Sequence, residues 1–280
     1  MKPFNQLQSL TPNKFKRLTG ISKENFEHLR CKVEDYKNSQ KAINPLTKRG
    51  RKPEKIFITD CILLTLYYMR HYPTFNNLCS VFGISESYCQ KIYSRYARIV
   101  AEVKTLPNRK ELINNPPNTL IIDVSEQPIE RPVKHQKDFF SGKKSRHTIK
   151  AQLIICALTL TIMSVICGKG RQHDFSVFKI NRLFIHPKSL LLADSGYQGL
   201  QKLHKNTNLP HKKKKGCALT AEQKAHNKAL SKQRIFIENV NRRCKVFRIV
   251  KEVYRGKHKN YSLTWRLVAA LVNLRYDCVI

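Results

Sequence analysis

Asp123, Asp194 and Glu238 each close or interrupt an apolar run: Leu120-Ile-Ile-Asp123, Leu190-Leu-Leu-Ala-Asp194 and Ile235-Phe-Ile-Glu238. Acids are scarce in this chain. Lys and Arg number 53 against 19 Asp plus Glu, for a formal charge of +34 over 280 residues. A carboxylate at the end of a buried element is costly unless something positive meets it. In a chain built to hold a polyanion, a divalent cation is the natural partner, because hard cations take oxygen ligands. These residues lead to the expectation of metal-dependent chemistry on nucleic acid.

The charge is spread over the whole length, and a balance this extreme repels itself in the compact state unless a polyanion is bound. Nine cysteines, with no C-x-x-C pair, fit neither a disulfide framework nor a zinc cage. They read as reduced, mostly buried small hydrophobes of a cytosolic protein. Met1-Lys-Pro-Phe-Asn leads into polar sequence and carries no secretory pattern. Ala151 to Gly168 is free of charge, but it reads better as two buried strands joined by a turn than as a membrane span. The expectation is a soluble, cytosolic protein that is not associated with a membrane.

The elements that position the three acids divide near Asn114-Asn-Pro-Pro-Asn118, which cannot continue a helix. Residues 1–113 are expected to form a helical, nucleic-acid-binding region, and residues 118–280 a second, α/β domain. In the second, strands are expected at about 119–124, 147–157, 161–167 and 189–193, with helices at about 174–184 and 220–247. That order predicts a mixed sheet flanked by helices.

Residues 75–100 have a helix-turn-helix plan, with the turn at Gly83, Ile84 as a wedge and Ser85 as N-cap. On the second helix Tyr88, Ile92, Tyr96 and Ile99 share a face, which leaves Gln90, Lys91 and Arg95 outward for major-groove contacts. An ordinary helical hairpin fits the same spacing. Arg49 and Arg51, in Thr47-Lys-Arg-Gly-Arg-Lys-Pro53, suit either a basic arm in a minor groove or a solvated loop. The run Lys212–Lys215 suits a phosphate contact or, again, a solvated loop.

On the last predicted helix, Arg234, Arg242 and Lys245 fall within roughly 40° of Glu238, whereas Phe236, Val240 and Phe247 fall near the far side. The far side is therefore expected to pack on the domain. Taken alone, an acid among cations fits a plain salt-bridge cluster as well as catalysis. His173-Asp174 adds a polar pair that suits either the site or a helix cap.

The order strand-Asp, strand-Asp, helix-Glu resembles the DDE transposases of bacterial insertion sequences, in the branch related to Harbinger-type DDE endonucleases. The residues that carry the resemblance are Ile121-Ile-Asp123 with Ile129-Glu-Arg-Pro132, Phe140-Ser-Gly-Lys-Lys-Ser-Arg-His-Thr-Ile-Lys150 and Ala193-Asp-Ser-Gly-Tyr-Gln-Gly199. Arg234-x3-Glu238-x6-Lys245 and Phe15-Lys-Arg-Leu-Thr-Gly-Ile-Ser22 complete the match over nearly the whole chain. One position departs from the related pattern: Ser231 stands where a Tyr is common.

The resemblance implies a ribonuclease H-like catalytic domain in which Asp123, Asp194 and Glu238 hold two Mg²⁺ ions, with Mn²⁺ able to substitute. It implies a transposase that acts on double-stranded DNA, both element ends and target. Water would cut at an element end, and the freed 3′-OH would attack the target. Arg234 and Lys245 would contact the element-end DNA, and two ends would be held by a homodimer in a synaptic complex. The alternatives are a catalytically silent DNA-binding regulator and a ribonuclease H-like nuclease without strand transfer.

Overall fold

The computed structural model describes residues 3–43, 56–180, 184–213 and 216–274. Arg49, Arg51 and the second half of the tetralysine run lie outside these residues. The chain forms two compact units: residues 1–105 with 246–249 and 270–280, and residues 106–245 with 250–269.

The first unit is helical: α1 (Pro3–Gln8), α2 (Pro12–Thr19), α3 (Lys23–Ile43), α4 (Ile58–His71), α5 (Phe75–Phe82) and α6 (Glu86–Val103). Its start and stop signals are local. Thr11 caps α2 and Pro12 opens it, where a missing N–H costs nothing. Gly20 ends α2 at φ +86°, and a Cβ there would stand 2.6 Å from the Phe247 ring. Only glycine satisfies both demands. Thr74 caps α5, Gly83 ends it in the left-handed region, and α6 follows after Ile84 and Ser85. Ser85 occupies the N-cap position without a side-chain cap bond. Ile92, Tyr96 and Ile99 are buried on α6, as are Cys89, Ala97 and Val100. Gln90, Lys91 and Arg95 are exposed.

The second unit opens with α7 (Arg109–Asn114), closed by a capping box between Asn108 and Glu111. Its strands are β1 (Thr119–Pro128), β2 (Phe140–Ser141), β3 (Arg146–Cys156), β4 (Ile162–Lys169), β5 (Leu190–Leu192) and β6 (Thr207–Asn208). The helices among and after them are α8 (Gln136–Phe139), α9 (Asp174–Ile180), α10 (Ala221–Cys244) and α11 (Tyr261–Asn273), of which residues 270–273 count with the first unit. Among the described residues the sheet runs β2-β3-β1-β5-β6, with β4 also on β3. The pairs β1–β3 and β3–β4 are antiparallel, and β1–β5 and β5–β6 are parallel. The charge-free stretch 151–168 is thus two paired strands, and among the described residues no helix is long and apolar enough to cross a membrane.

Alternation along the strands sets up two faces. Leu120 and Ile122 join Ile154, Phe178, Leu191 and Tyr197 in a core on the α9 side. Asp123 belongs to the opposite face, where α10 lies against β1.

Two expectations need correction. The packing face of α10 is Leu230, Ile237, Val240, Asn241 and Cys244, whereas Phe236 is 43% exposed. The helix is rotated about a quarter turn from the expected setting, because Asn241 and Arg234 turn toward Asp123. Among the described residues no disulfide joins the cysteines; Cys61, Cys89, Cys156 and Cys244 are buried, but Cys31 and Cys217 are exposed.

The helix α11, with Trp265, Leu267, Val268 and Leu271 fully buried, was not anticipated. Its exposed polar stripe is confined to Ser262 and Arg266 near its start, too short to mark a helical period clearly.

Candidate active site

Asp123 and Asp194 are brought together by strand register. The parallel ladder matches Leu120 with Leu191 and Ile121 with Leu192. Carried two residues further, the same register sets Asp123 beside Asp194, on the same face of the sheet. Ala193 extends the run, since its N–H bonds to Asn208 O at 3.2 Å. The chain then turns sharply, and Asp194 Oδ1 accepts the Gly196 N–H at 2.8 Å. A Cβ on Gly196 would lie 3.0 Å from Asp194 Oδ1 and 3.2 Å from Asp174 Oδ2, so the backbone passes between two carboxylates.

Asp123 is a desolvated acid. Burial pushes its pKa up to about 6, and the negative charges of Asp194 and Asp174 push the same way. Arg234 opposes them, with Nη2 3.5 Å from Asp123 Oδ1. Asn241 Nδ2 donates to Asp123 Oδ2 at 3.0 Å. Arg234 and Asn241 stand four residues before and three after Glu238, one helical turn to each side. The stripe of α10 that meets Asp123 is therefore the stripe that carries Glu238. Glu238 itself is exposed.

Behind Asp194 lies a buried polar chain. Lys150 faces Glu126 directly across the β1–β3 ladder, with Nζ 3.4 Å from Glu126 Oε1. The same ammonium bonds to Asp174 Oδ1 at 2.8 Å and to Gln172 O at 2.6 Å. Glu126 also accepts from Ser141 Oγ at 2.9 Å. Tyr197 is fully buried, and its hydroxyl donates to Gln152 Oε1 at 3.2 Å. Asp174 thus stands with the two expected aspartates, and Lys150 and Glu126 support it. The signal for this trio was faint in the sequence: the β1–β3 ladder pairs residues 126 and 150, and Asp174 at the start of α9 joins them through Lys150.

Hard oxygen donors in a desolvated acidic pocket suit a divalent cation. Asn241 Oδ1 is buried without a hydrogen-bond partner among the described residues, which adds one more unclaimed oxygen beside Asp123. Nevertheless, among the described residues no three Asp, Glu, His or Cys side chains stand as a ready ligand set. The structure aligns Asp123 with Asp194 and does not bring the Glu238 carboxylate into a ligand cluster with them.

The cationic residues expected on α10 fall into two groups. Arg234 is half-buried and turned to Asp123. Arg242 is exposed, and Lys245 is the C-cap residue of the helix. In the first unit, a cavity of about 430 Å³ is lined by Lys14, Arg17, Arg70, His71 and Arg248 among others. The Arg70 guanidinium there is held by Arg17 O at 3.0 Å and by Val246 O.

A mixed sheet that sets two aspartates side by side, with a long acid-bearing helix across the same face, is an arrangement consistent with a DDE nuclease. The sequence profile of the DDE superfamily endonucleases matches residues 122–273. The chain is 40% identical over 270 residues, 95% of each sequence, to a "probable transposase for insertion sequence element IS702" of Microchaete diplosiphon. It is 26% identical over 210 residues to a transposase relative for insertion sequence element IS112 of Streptomyces albus G, covering 73% of this chain and 75% of that one. No solved structure matches significantly. The chain belongs to the DDE superfamily endonucleases, among the transposases of insertion sequences.

Proposed function

We propose that this transposase binds the inverted repeats at its element ends, cleaves there with water, and joins the freed 3′-OH to target DNA. Asp123, Asp194 and Glu238 are the catalytic acids. The observation that carries the reading is the β1–β5 register, which aligns Asp123 with Asp194 on the face crossed by α10. The strand order β4-β3-β1-β5-β6, antiparallel then parallel, supports a ribonuclease H-like catalytic domain over residues 118–280.

Asp123, Asp194 and Glu238 are the residues that would hold Mg²⁺, or Mn²⁺ in its place. A bound pair of such ions would supply activation of the attacking oxygen and stabilisation of the leaving one. The chain's own groups do the rest. Arg234 offsets the charge of Asp123, and Asn241 fixes the orientation of that carboxylate through its amide N–H. Lys150 locks Asp174 and Glu126, which holds β1, β3 and the start of α9 in register behind the acids. Arg242 and Lys245 are placed at the end of α10 for element-end phosphates.

Residues 1–113 supply DNA binding. Gln90, Lys91 and Arg95 on α6 are base and backbone contacts in a major groove, and Arg49 and Arg51, outside the described residues, are minor-groove contacts. Two copies bridge two ends in the synaptic complex.

The test uses the full-length protein with labelled duplex carrying an element end, a target duplex, and Mg²⁺ or Mn²⁺. Nicked ends and joined products are expected. Binding without any cutting would leave a DNA-binding regulator, and cutting without joining would leave a nuclease.

A further inference from the structure

A second basic site lies in the catalytic unit, around the β2–β3 hairpin. It is a cavity of about 710 Å³ lined by Arg131, Lys137, Phe140, His147 and Arg171, with Gln136 and Gly142. The volume is in the range of small-molecule pockets, roughly 300–1,000 Å³. None of its lining residues is acidic. The acids adjacent in sequence are Glu130, which is exposed, and Asp138, which is engaged by Lys169 Nζ at 2.7 Å.

The cavity also holds an aromatic ring. Phe140 is 45% exposed, although it sits on a strand. An exposed ring with cations around it offers a nucleotide a stacking face for the base and partners for its phosphates. The ring meets a neighbour on the adjacent strand, and the residue after it is anchored. His147 pairs with it across the β2–β3 ladder and meets it edge to face at 5.6 Å. Ser141, the next residue, is buried and bonded to Glu126. Arg131 is likewise oriented, with Nε donating to Gln136 Oε1 at 3.0 Å. His135, next to Gln136, and Ser145, in the hairpin turn, both take positive φ, 56° and 49°. Such backbone costs energy and persists where the surroundings impose it.

Cations alone would suit the outside of any duplex. A fixed aromatic ring inside a concave, cationic cavity suits a base whose face is free, and in duplex DNA that face is stacked away. We propose that this cavity holds an unpaired nucleotide of single-stranded DNA, the base on Phe140 and the adjoining phosphates on Arg131, Lys137 and Arg171. The proposal rests on the reading that this unit acts on DNA. The Ser141–Glu126–Lys150–Asp174 chain ties the cavity wall to the neighbourhood of Asp194, so an unpaired strand held here is one whose cleaved or frayed end belongs to the same unit.

The experiment measures binding of the full-length protein to a short oligothymidine and to a duplex of equal length, by fluorescence anisotropy in the absence of divalent ions. Phe140→Ala is expected to weaken the oligothymidine complex about tenfold or more, the usual worth of one stacked base, and to leave the duplex complex within about twofold. Phe140→Trp, which keeps an aromatic face, should restore the single-strand affinity and exclude misfolding as the cause. An oligonucleotide with 2-aminopurine should be quenched by the parent and by Phe140→Trp, and not by Phe140→Ala. Equal losses on both DNAs, or no loss on the single strand, would overturn the proposal. Cleavage is scored separately on duplex element ends: a protein that binds single strands through Phe140 yet never cuts would sink the endonuclease mechanism and leave this cavity standing.

Discussion

Asp123 Oδ2 accepts a hydrogen bond from Asn241 Nδ2 at 3.0 Å, so β1 and α10 meet at the carboxylate itself. The contact fixes the rotation of α10 about its axis. It brings Arg234, one turn before Glu238, to the same acid, and it explains why Phe236 faces outward.

The first prediction follows from the burial of Asp123. Its ordinary value is 3.8 and its folded value is about 6. Between these values the folded chain keeps a proton that the unfolded chain has released, so stability falls as pH rises through that window. Above about 6 the ionised carboxylate is a net burden on the apo fold. Asp123→Asn should therefore raise the urea midpoint at pH 7.5 in chelator and narrow that advantage toward pH 5. Millimolar Mg²⁺ or Mn²⁺ should raise the melting temperature of the parent and not that of Asp123→Asn. A parent whose melting temperature ignores both ions would remove Asp123 from the metal site.

The second prediction concerns Lys150. Its side chain is 9% exposed and serves Glu126, Asp174 and Gln172 O together. Removing one member of a buried charge network leaves its partners desolvated and uncompensated, a loss of about 3–5 kcal/mol. Lys150→Met should cost about that much in chemical denaturation. Adding Glu126→Gln to Lys150→Met should recover part of it, because one unpaired charge then disappears. A double variant no more stable than the single one would show that the pair is not electrostatically coupled.

Much of this site was legible in the sequence, for reasons that particular residues make plain. Asp123 and Asp194 each terminate an apolar run, and apolar runs bounded by turn residues read as strands. The paired strands of 151–168 were legible because the segment has no charge and too little length for a span. The β6 strand and the β2 pair were not, because two residues carry no period. The α11 helix was not, because its exposed stripe is only Ser262 and Arg266. The rotation of α10 was misjudged because periodicity identifies a face without saying which polar residue a neighbour will claim. Here Asn241, polar and buried, is claimed by Asp123. Asp174 stood in the sequence as a polar residue that suited either the site or a helix cap, and only the fold sets it beside Gly196 and Lys150.

The third prediction concerns the end of α10. Lys245 closes the helix after Arg242 and Arg243, where cations also complement the dipole. If Lys245 meets an element-end phosphate, Lys245→Ala should weaken end binding and reduce the slope of log K against log salt by about one. Weakening without a change of slope would indicate a structural role for the residue. Binding left unchanged would take Lys245 out of the DNA interface.

The last prediction decides between two acids for the third catalytic position. Glu238 lies on the stripe of α10 that meets Asp123, but it is exposed and outside any ligand cluster. Asp174 lies beside Asp194 at Gly196, but its carboxylate is already engaged by Lys150 at 2.8 Å. An acid neutralised by a buried ammonium is a poor candidate for a metal ligand, since the cation would have to displace the lysine. Glu238, free of such a bond, is open to a ligand at little cost. Glu238→Gln should therefore lower cleavage at least about 100-fold, as loss of a transition-state electrostatic contact does, with end binding and melting temperature nearly unchanged. Asp174→Asn should instead lower the melting temperature by freeing Lys150, and should reduce cleavage only in proportion to that loss of structure. Full loss of cleavage in a stable Asp174→Asn protein, together with an active Glu238→Gln, would move the third role from α10 to the start of α9.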